Sequence, residues 1–306
     1  MKKAFVVLNP VAGQSDPEAL EAVIAQVAGP NGWECRVHHT RENEDLKQVM
    51  QRAQADGYEL FVAGGGDGTV SAVAGSLAGT GLPLAILPVG TGNVLARGME
   101  IPTDPEEALV IAFGRHDLLH LDGLQSGDRL FLLNVSAGPI ARTMRDVSAK
   151  EKRSLGFVAY LVKGVRRLAR HNRHRFRISV DGQQHEVVAS EAIVLNSPAV
   201  GSPNLALDPE VRIDDGRVEL VLLRVKTLGD YVRLVWDAVL ARDSDSPVFR
   251  RFVATEAVSI HAEPSLPVQG DGDAIGTTPI EIRVLPGAVR LAVPMRNGDG
   301  QQDKEE

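Results

Sequence analysis

FVAGGGDGTVSAV, residues 61–73, sets four glycines, one aspartate and one threonine between two apolar runs. A hairpin turn needs only one or two glycines, so the stretch asks to be read as the loop between a strand and a helix. Its neighbours agree. ELFVA (59–63) reads as a buried strand, and TVSAVAGSLAG opens a helix. Upstream, AFVVL (4–8) is a second buried strand, followed by the turn-rich NPVAGQSD and a helix from about Pro17. Asp16 suits that helix as N-cap and Pro17 as its first residue. CRVHHT (35–40) reads as a strand. ENEDLKQVMQRAQ (42–54) reads as a helix with acids in its first turn, where the helix dipole favours them. LPLAILP (82–88) is a further strand, leading into GTGNVLARGM. Strands alternating with helices imply right-handed crossovers and a parallel sheet covered on both faces.

From about Asp122 the pattern changes. RLFLLNVSAG, RHRFRISVDGQQHEVVASEAIVLN, GRVELVLLRV, EAVSIHAE and PIEIRVLPGAVRLAV read as strands with hairpin signals, Asp181-Gly182 among them. Helices are expected near 153–170 and 228–242. This half reads as mostly antiparallel β, a sandwich or open barrel. At 306 residues two domains are expected, and 43% hydrophobic residues suffice for a core. The single cysteine, Cys35, rules out an internal disulfide and fits a reducing compartment. KKAFVVLNP is too short an apolar run for a signal peptide, and no run approaches the length of a membrane span. A net charge of −7 argues against general nucleic-acid binding. The tail RNGDGQQDKEE has no apolar anchor and is expected to be disordered.

Ligands of parallel α/β sheets bind beyond the carboxyl ends of the strands. Three glycine-bearing loops leave such ends here: NPVAG (9–13), GGGDGT (64–69) and PVGTGN (88–93). Glycine lets backbone approach a ligand closely, and the N–H groups of the next helix then face it, so a phosphate is the natural guest. A P-loop is excluded, because no lysine follows the glycines in a GK[ST] arrangement. A dinucleotide fingerprint would follow the first strand rather than the third. Two readings stand for Asp67. It lies beside a magnesium-bound nucleotide, since Mg²⁺ takes one or two carboxylates plus phosphate oxygens and water. Or it is an Asx-type turn residue capping the next helix. Gly270-Asp271-Gly272, taken alone, reads as a hairpin turn.

With these residues set out, the chain resembles the diacylglycerol kinase catalytic-domain family, which includes bacterial soluble lipid kinases and the sphingosine and ceramide kinases. GGDGT (65–69), PVGTGNVLARGMEIP (88–102), LNPVAG (8–13), KRSLGFVAYLVKGVRRL (152–168) and VQGDGDAIGTTPIEIRVLPGAVRLAVP (268–294) carry the likeness, which covers nearly the whole chain. GGDGT is shared with the NAD kinases; the GTGN loop and late GDGD segment favour the lipid kinases. The resemblance implies a Rossmann-like parallel α/β nucleotide domain, 1–122 plus a returning segment 287–296. It implies a C-terminal antiparallel β-sandwich lipid-substrate domain, 123–286, with 297–306 as tail. It further implies ATP- and Mg²⁺-dependent phosphorylation of a lipid hydroxyl, that of diacylglycerol or a related lipid alcohol. Asn9, Thr40, Gly65, Gly66, Asp67, Gly68, Thr69 and Thr91 match nucleotide-binding positions, with Asp67 also at the metal. Asp271 matches the catalytic aspartate.

Bacterial members also carry a structural metal around a D-G segment, which Asp215-Gly216 and the Arg217 carbonyl match here. Arg212 stands where another ligand is expected, with Asp214 as a substitute. Two further departures are Asp273 in place of glutamate and Val70-Ser71-Ala72 in place of a segment with an acid near 72. They keep an alternative open, a regulator that binds nucleotide or lipid without catalysis, beside an NAD kinase-like enzyme.

Residues 150–177 hold ten Lys or Arg and one acid, +9 within a chain of −7. Val158, Leu161, Val162, Val165 and Leu168 share one helical face, with Lys163, Arg166, Arg167 and Arg170 towards the other. A basic amphipathic helix docks on anionic membrane surfaces; the plainer reading is a packed helix with a solvated face. The expected partner is therefore a lipid substrate at a membrane surface, with no nucleic acid and with a homodimer left open. The expected location is cytoplasmic with peripheral membrane association. His38-His39 and His171/His174 show no third metal ligand and read as surface or packing histidines.

Overall fold

The computed structural model describes residues 1–13, 16–138, 173–198, 210–224, 230 and 249–295. The expected helix at 153–170, all of the one at 228–242 but Asp230, His171 and the tail 297–306 lie outside the described residues. The chain divides into two compact units, Met1–Leu121 with the segment from Ala288 onward, and Asp122–Gly287.

The first unit is a parallel sheet of β1 (Lys2–Leu8), β2 (Trp33–His39), β3 (Leu60–Gly65) and β4 (Pro83–Pro88), in the order β2-β1-β3-β4. Ala4 to Leu8 and Leu60 to Gly65 are buried without interruption, as strands covered on both faces must be. The helices are α1 (Pro17–Ala28), α2 (Leu46–Ala55), α3 (Asp67–Leu77), α4 (Val94–Gly98) and α5 (Pro105–Phe113). Asp16 caps α1 by accepting from the Glu18 N–H, and Pro17 opens it, as expected. The helix expected at 42–54 begins four residues later. Asn43 takes a left-handed φ of +60°. The Glu44 carboxylate is committed to His38 and to the Arg41 N–H, and Asp45 caps α2 instead. The acids read as first-turn residues thus build the loop before the helix.

The second unit is antiparallel. Its strands are β5 (Asp117–Ser126, begun in the first unit), β6 (Arg129–Phe131), β7 (Asn134–Ala137), β8 (His174–Val180), β9 (Gln183–Ala189), β10 (Glu191–Leu195), β11 (Val218–Leu223), β12 (Phe249–Ala254), β13 (Ala257–Glu263), β14 (Pro267–Gly270), β15 (Asp273–Thr277) and β16 (Ile280–Val293). One sheet runs β12-β11-β10-β7-β14-β15; in the other β13 lies between β8 and the first half of β16. Alternate residues such as Phe176, Ile178, Leu220, Leu222, Val258, Ile260 and Ile282 form one buried cluster. At about 1.5–3 kcal/mol for each large side chain fully buried, that cluster drives the pairing of the layers. The expected architecture, parallel α/β followed by an antiparallel sandwich, is the one observed. β16 serves both units: Ala257 to Ile260 of β13 pair antiparallel with its start, and Arg290 and Leu291 pair parallel with Pro83 and Leu84 of β4. Among the described residues no helix is long and apolar enough to cross a membrane.

Candidate functional site

A cleft of about 540 Å³ opens at the carboxyl end of the parallel sheet. The loops after all four strands meet there. Asn9 to Gly13 follow β1, Thr40 to Leu46 follow β2, Gly66 to Thr69 follow β3, and Gly90 and Thr91 follow β4. Of the nucleotide candidates, Asn9, Thr40, Gly66, Gly68, Thr69 and Thr91 line it; Gly65 and Asp67 stand beside it in the β3 loop. Arg41, Glu44 and Leu46 line it too and were not singled out from sequence, and so does Ala72, noted there as standing where an acid was expected.

The loops are built to touch. The Asn9 side-chain amide donates to Thr69 Oγ1 at 3.2 Å, and its Oδ1 accepts the Val11 N–H at 3.1 Å. The Gly90 N–H donates to Gly65 O at 3.2 Å. A Cβ at Gly90 would stand 2.3 Å from Gly66 Cα, and one at Gly13, whose φ is +68°, 2.0 Å from Val89 O. Only glycine allows those approaches. Asn93, left-handed and buried, ties the last loop with its amide on Pro88 O and Gly90 O, both at 2.9 Å. In the first turn of α3 the Thr69 and Val70 N–H groups turn back to Gly66 O at 3.0 and 3.1 Å. Since α3 begins at Asp67 on the cleft's rim, its positive end suits an anion there.

Asp67 is the first residue of α3, with its carboxylate at the start of α4, where Oδ1 accepts the Leu95 N–H at 3.2 Å. Burial pushes its carboxyl above the ordinary range, against the N–H groups of Leu95, Val94, Asp67 and Asn93, which favour the charge. Mg²⁺ takes one or two carboxylates with phosphate oxygens and water, and Asp67 stands beside the glycine loops as such a ligand. The donor chemistry therefore fits a metal that arrives with a nucleotide. Among the described residues no three His, Cys, Asp or Glu side chains are grouped to hold a metal without one.

Asp271 belongs to the second unit. With Gly272 it forms the two-residue turn between β14 and β15, both residues left-handed at φ +48° and +94°. Its carboxylate accepts three backbone N–H groups, from Leu132 at 2.8 Å, Leu133 at 2.9 Å and Asn134 at 3.0 Å. Behind it lies a buried amide network. Gln269 donates to Asn134 Oδ1 and Ser136 Oγ, both at 2.9 Å, and accepts from the Gly272 N–H at 2.6 Å. Gln269 and Asn134 carry no motif that would have marked them in sequence. The turn expected at Gly270-Asp271-Gly272 is the geometry observed, with the Asp271 carboxylate half-buried against the three N–H groups.

At the second expected metal position, Asp215 Oδ1 accepts the Arg217 N–H at 3.1 Å, and Arg212 pairs with Asp214 at 3.1 Å. Behind them Asp122, 2% exposed, accepts from the N–H groups of Gly216 at 2.6 Å and Gly287 at 2.8 Å. Burial pushes the Asp122 carboxyl up against those two bonds, and the charges of Asp215 and Asp214 add to the rise.

Comparison with known proteins accounts for both units. Residues 3–122 match the diacylglycerol kinase catalytic domain, and residues 134–293 match the YegS C-terminal NAD kinase beta sandwich-like domain. The Pseudomonas aeruginosa protein named "Probable lipid kinase YegS-like" is 31% identical over 278 residues, 90% of each chain. The chain belongs to the diacylglycerol kinase family. The Bacillus subtilis protein named diacylglycerol kinase is 26% identical over 99% of this chain and 100% of its own. A crystal structure of a diacylglycerol kinase from Bacillus anthracis, 24% identical, shares the fold with a TM-score of 0.78, over 95% of this chain and 97% of its own. This member of the family is a kinase, and kinases of the family use ATP. Its departures from the family pattern fall in described regions. Ala72 presents a methyl to the cleft where the resemblance led to the expectation of an acid, and Asp273 meets Arg129 at 3.4 Å on the surface of the second unit.

Proposed function

We propose that the chain transfers the γ-phosphate of ATP, as its magnesium complex, to the hydroxyl of diacylglycerol or a related lipid alcohol. The observation that carries this reading is the cleft where four strand-end loops meet, with two glycines in backbone contact and six of the expected nucleotide residues on its wall. The names of the Pseudomonas and Bacillus relatives support the lipid acceptor. The triphosphate lies against Gly66, Gly68, Thr69, Gly90 and Thr91, oriented by backbone N–H groups and the α3 dipole. Arg41 is the one cation among the described lining residues and sits after β2, away from those loops. Mg²⁺ held by Asp67 and phosphate oxygens would supply the missing charge neutralisation. Asp271 accepts the proton of the lipid hydroxyl. That oxygen bonds to the γ-phosphorus, the bond from the γ-phosphorus to the bridging oxygen breaks, and ADP leaves. Three N–H donors fix the direction of that carboxylate. Phosphoryl transfer depends mainly on positioning and electrostatics, and a general base adds about 10²–10⁴-fold.

The test is transfer of label from γ-labelled ATP to mixed vesicles holding a panel of lipid alcohols, diacylglycerol included. Label in the lipid fraction, and a loss of about 10²–10⁴-fold in Asp271→Asn with ATP affinity retained, is the expected result. Label on NAD, or ATP bound with no transfer to any lipid, overturns the reading. The lipid is reached at the surface of a bilayer, where the basic amphipathic stretch at about 153–170 is the docking element; Arg175 and Arg177 beyond it belong to β8 and pair with Glu186 and Glu263.

A further inference from the structure

Among the described residues lining the cleft, Glu44 is the one carboxylate. Phosphate oxygens repel a carboxylate, so Glu44 has no place beside the triphosphate. It stands in the loop after β2, the edge strand, whereas the glycine loop follows β3, two strands away in the order β2-β1-β3-β4. At roughly 4.8 Å per strand that is about 10 Å, which puts Glu44 at the nucleoside end of a nucleotide whose phosphates lie on the β3 and β4 loops. Its carboxylate is already oriented. Oε2 accepts from His38 Nε2 at 2.9 Å and from the Arg41 N–H at 3.2 Å, while Oε1 takes part in neither bond. His38 is itself fixed, stacked on Phe5 with ring centres 6.0 Å apart. The His38 hydrogen bond holds the Glu44 carboxyl below its ordinary range, with smaller contributions from Arg41. A charged acceptor with a fixed rotamer loses little freedom when it meets a pair of hydroxyl donors. An acid after the second strand serves that purpose in other parallel nucleotide-binding sheets.

We propose that Glu44 reads the ribose hydroxyls of the bound nucleotide, with His38 as the positioning residue that fixes its carboxylate. The proposal rests on the nucleotide reading of the cleft given above. It assigns specificity to the loop after β2 and leaves phosphate binding to the other three loops. The plainer role, a brace that ties Arg41 to His38, predicts a different pattern of loss.

The experiment is calorimetric titration of the full chain with the magnesium complexes of ATP, 2′-deoxy-ATP, 3′-deoxy-ATP and inosine triphosphate. Wild type, Glu44→Ala and Glu44→Gln are compared, each checked by thermal melting. Wild type is expected to lose roughly tenfold or more in affinity when a ribose hydroxyl is removed, the worth of a hydrogen bond to a charged group. Glu44→Ala is expected to bind ATP as weakly as wild type binds the deoxy nucleotides, and to bind those almost unchanged. Should Glu44→Ala fail to fold, the near-isosteric Glu44→Gln decides, with a smaller discrimination than wild type. His38→Leu is expected to raise KM for ATP several-fold at unchanged kcat, with part of the loss restored in His38→Gln. Equal losses for ATP and both deoxy nucleotides would show a brace only and overturn the proposal. So would a loss confined to the contrast between adenine and hypoxanthine, which would make the carboxylate a reader of the base. Failure of wild type to bind ATP at all would instead overturn the nucleotide reading itself.

Discussion

Two aspartates in the second unit share one local geometry and differ in what surrounds it. Asp181 and Asp271 each precede a glycine in a two-residue turn, with φ of +46° and +48°. Each carboxylate accepts three consecutive backbone N–H groups from a distant segment, Thr255 to Ala257 for Asp181 and Leu132 to Asn134 for Asp271. The device is therefore structural in origin: it pins a tight turn to a neighbouring strand. Asp181 shows its worth where no chemistry is proposed. Burial pushes its carboxyl up, but the N–H groups of Ala257, Thr255 and Glu256 and the Thr255 hydroxyl outweigh that and hold it below the ordinary range. A carboxylate lowered in the folded state contributes stability above the ordinary carboxylate range and loses it as pH falls through the lowered value. Asp181→Asn should thus cost about 1 kcal/mol at pH 7, a low figure because water replaces partners at an exposed turn. Urea melts should show the gap from wild type closing as the buffer is taken into the acid range. Its lipid-kinase turnover should match wild type, whereas Asp271→Asn should keep comparable stability and lose turnover. Equal losses of turnover in the two would leave Asp271 a turn residue only.

At the scale of elements, the cleft is two glycine loops pressed together by the strands that carry them. β3 and β4 are hydrogen-bonded neighbours, with Gly65 opposite Pro88, so their loops leave the sheet side by side. Gly90→Ala puts a methyl 2.3 Å from Gly66 Cα and 2.9 Å from Gly66 N. The loops must part, at about 1–3 kcal/mol as in overpacked interiors, and ATP affinity measured by titration should fall while urea stability changes less. Much of this unit was legible in the sequence, because uninterrupted apolar runs and a capped helix are local signals: AFVVL, ELFVA and LPLAILP are all strands, and Asp16 caps α1. The start of α2 was not, because Glu44 is recruited by His38 from the neighbouring strand rather than by its own helix. The Asp271 site was legible only as a motif. Its three donors lie 137 to 139 residues earlier in the chain, and Gln269 and Asn134 are ordinary strand residues until β14 pairs with β7. No periodicity encodes a contact of that separation. Cys35 reads in sequence as a lone thiol; burial pushes it up to about 11, so it is a packing residue with little thiolate at neutral pH.

On the scale of the whole molecule, charge and connectivity are both unevenly distributed. The stretch 150–177 carries +9 within a net −7. Each cation near an anionic surface is worth about 1 kcal/mol. Reversing Arg166, Arg167 and Arg170 together should remove roughly 3 kcal/mol or more of vesicle binding, read as loss of co-sedimentation with anionic vesicles at low salt; unchanged sedimentation would refute docking through this segment. Connectivity places the end of the last described strand, from Ala288, in the first unit. Arg290 and Leu291 pair with β4, the Gly79 N–H donates to Ala288 O at 3.0 Å, and Arg290 reaches Gly81 O at 2.8 Å. Removing residues 288–306 should bare the unpaired side of β4, whose Leu84, Ala85, Ile86 and Leu87 are at most 3% exposed in the intact chain. An apolar edge of that kind aggregates, so light scattering of the shortened chain should rise where the full chain stays clear. The same feature sets a timetable on the ribosome. Residues 1–121 are made well before their partner strand, so their sheet stays open along one side until the segment from Ala288 is made. At about 5–20 residues per second, a nascent chain carries that open side for some ten seconds or more, an interval in which a chaperone that covers exposed strands has something to hold.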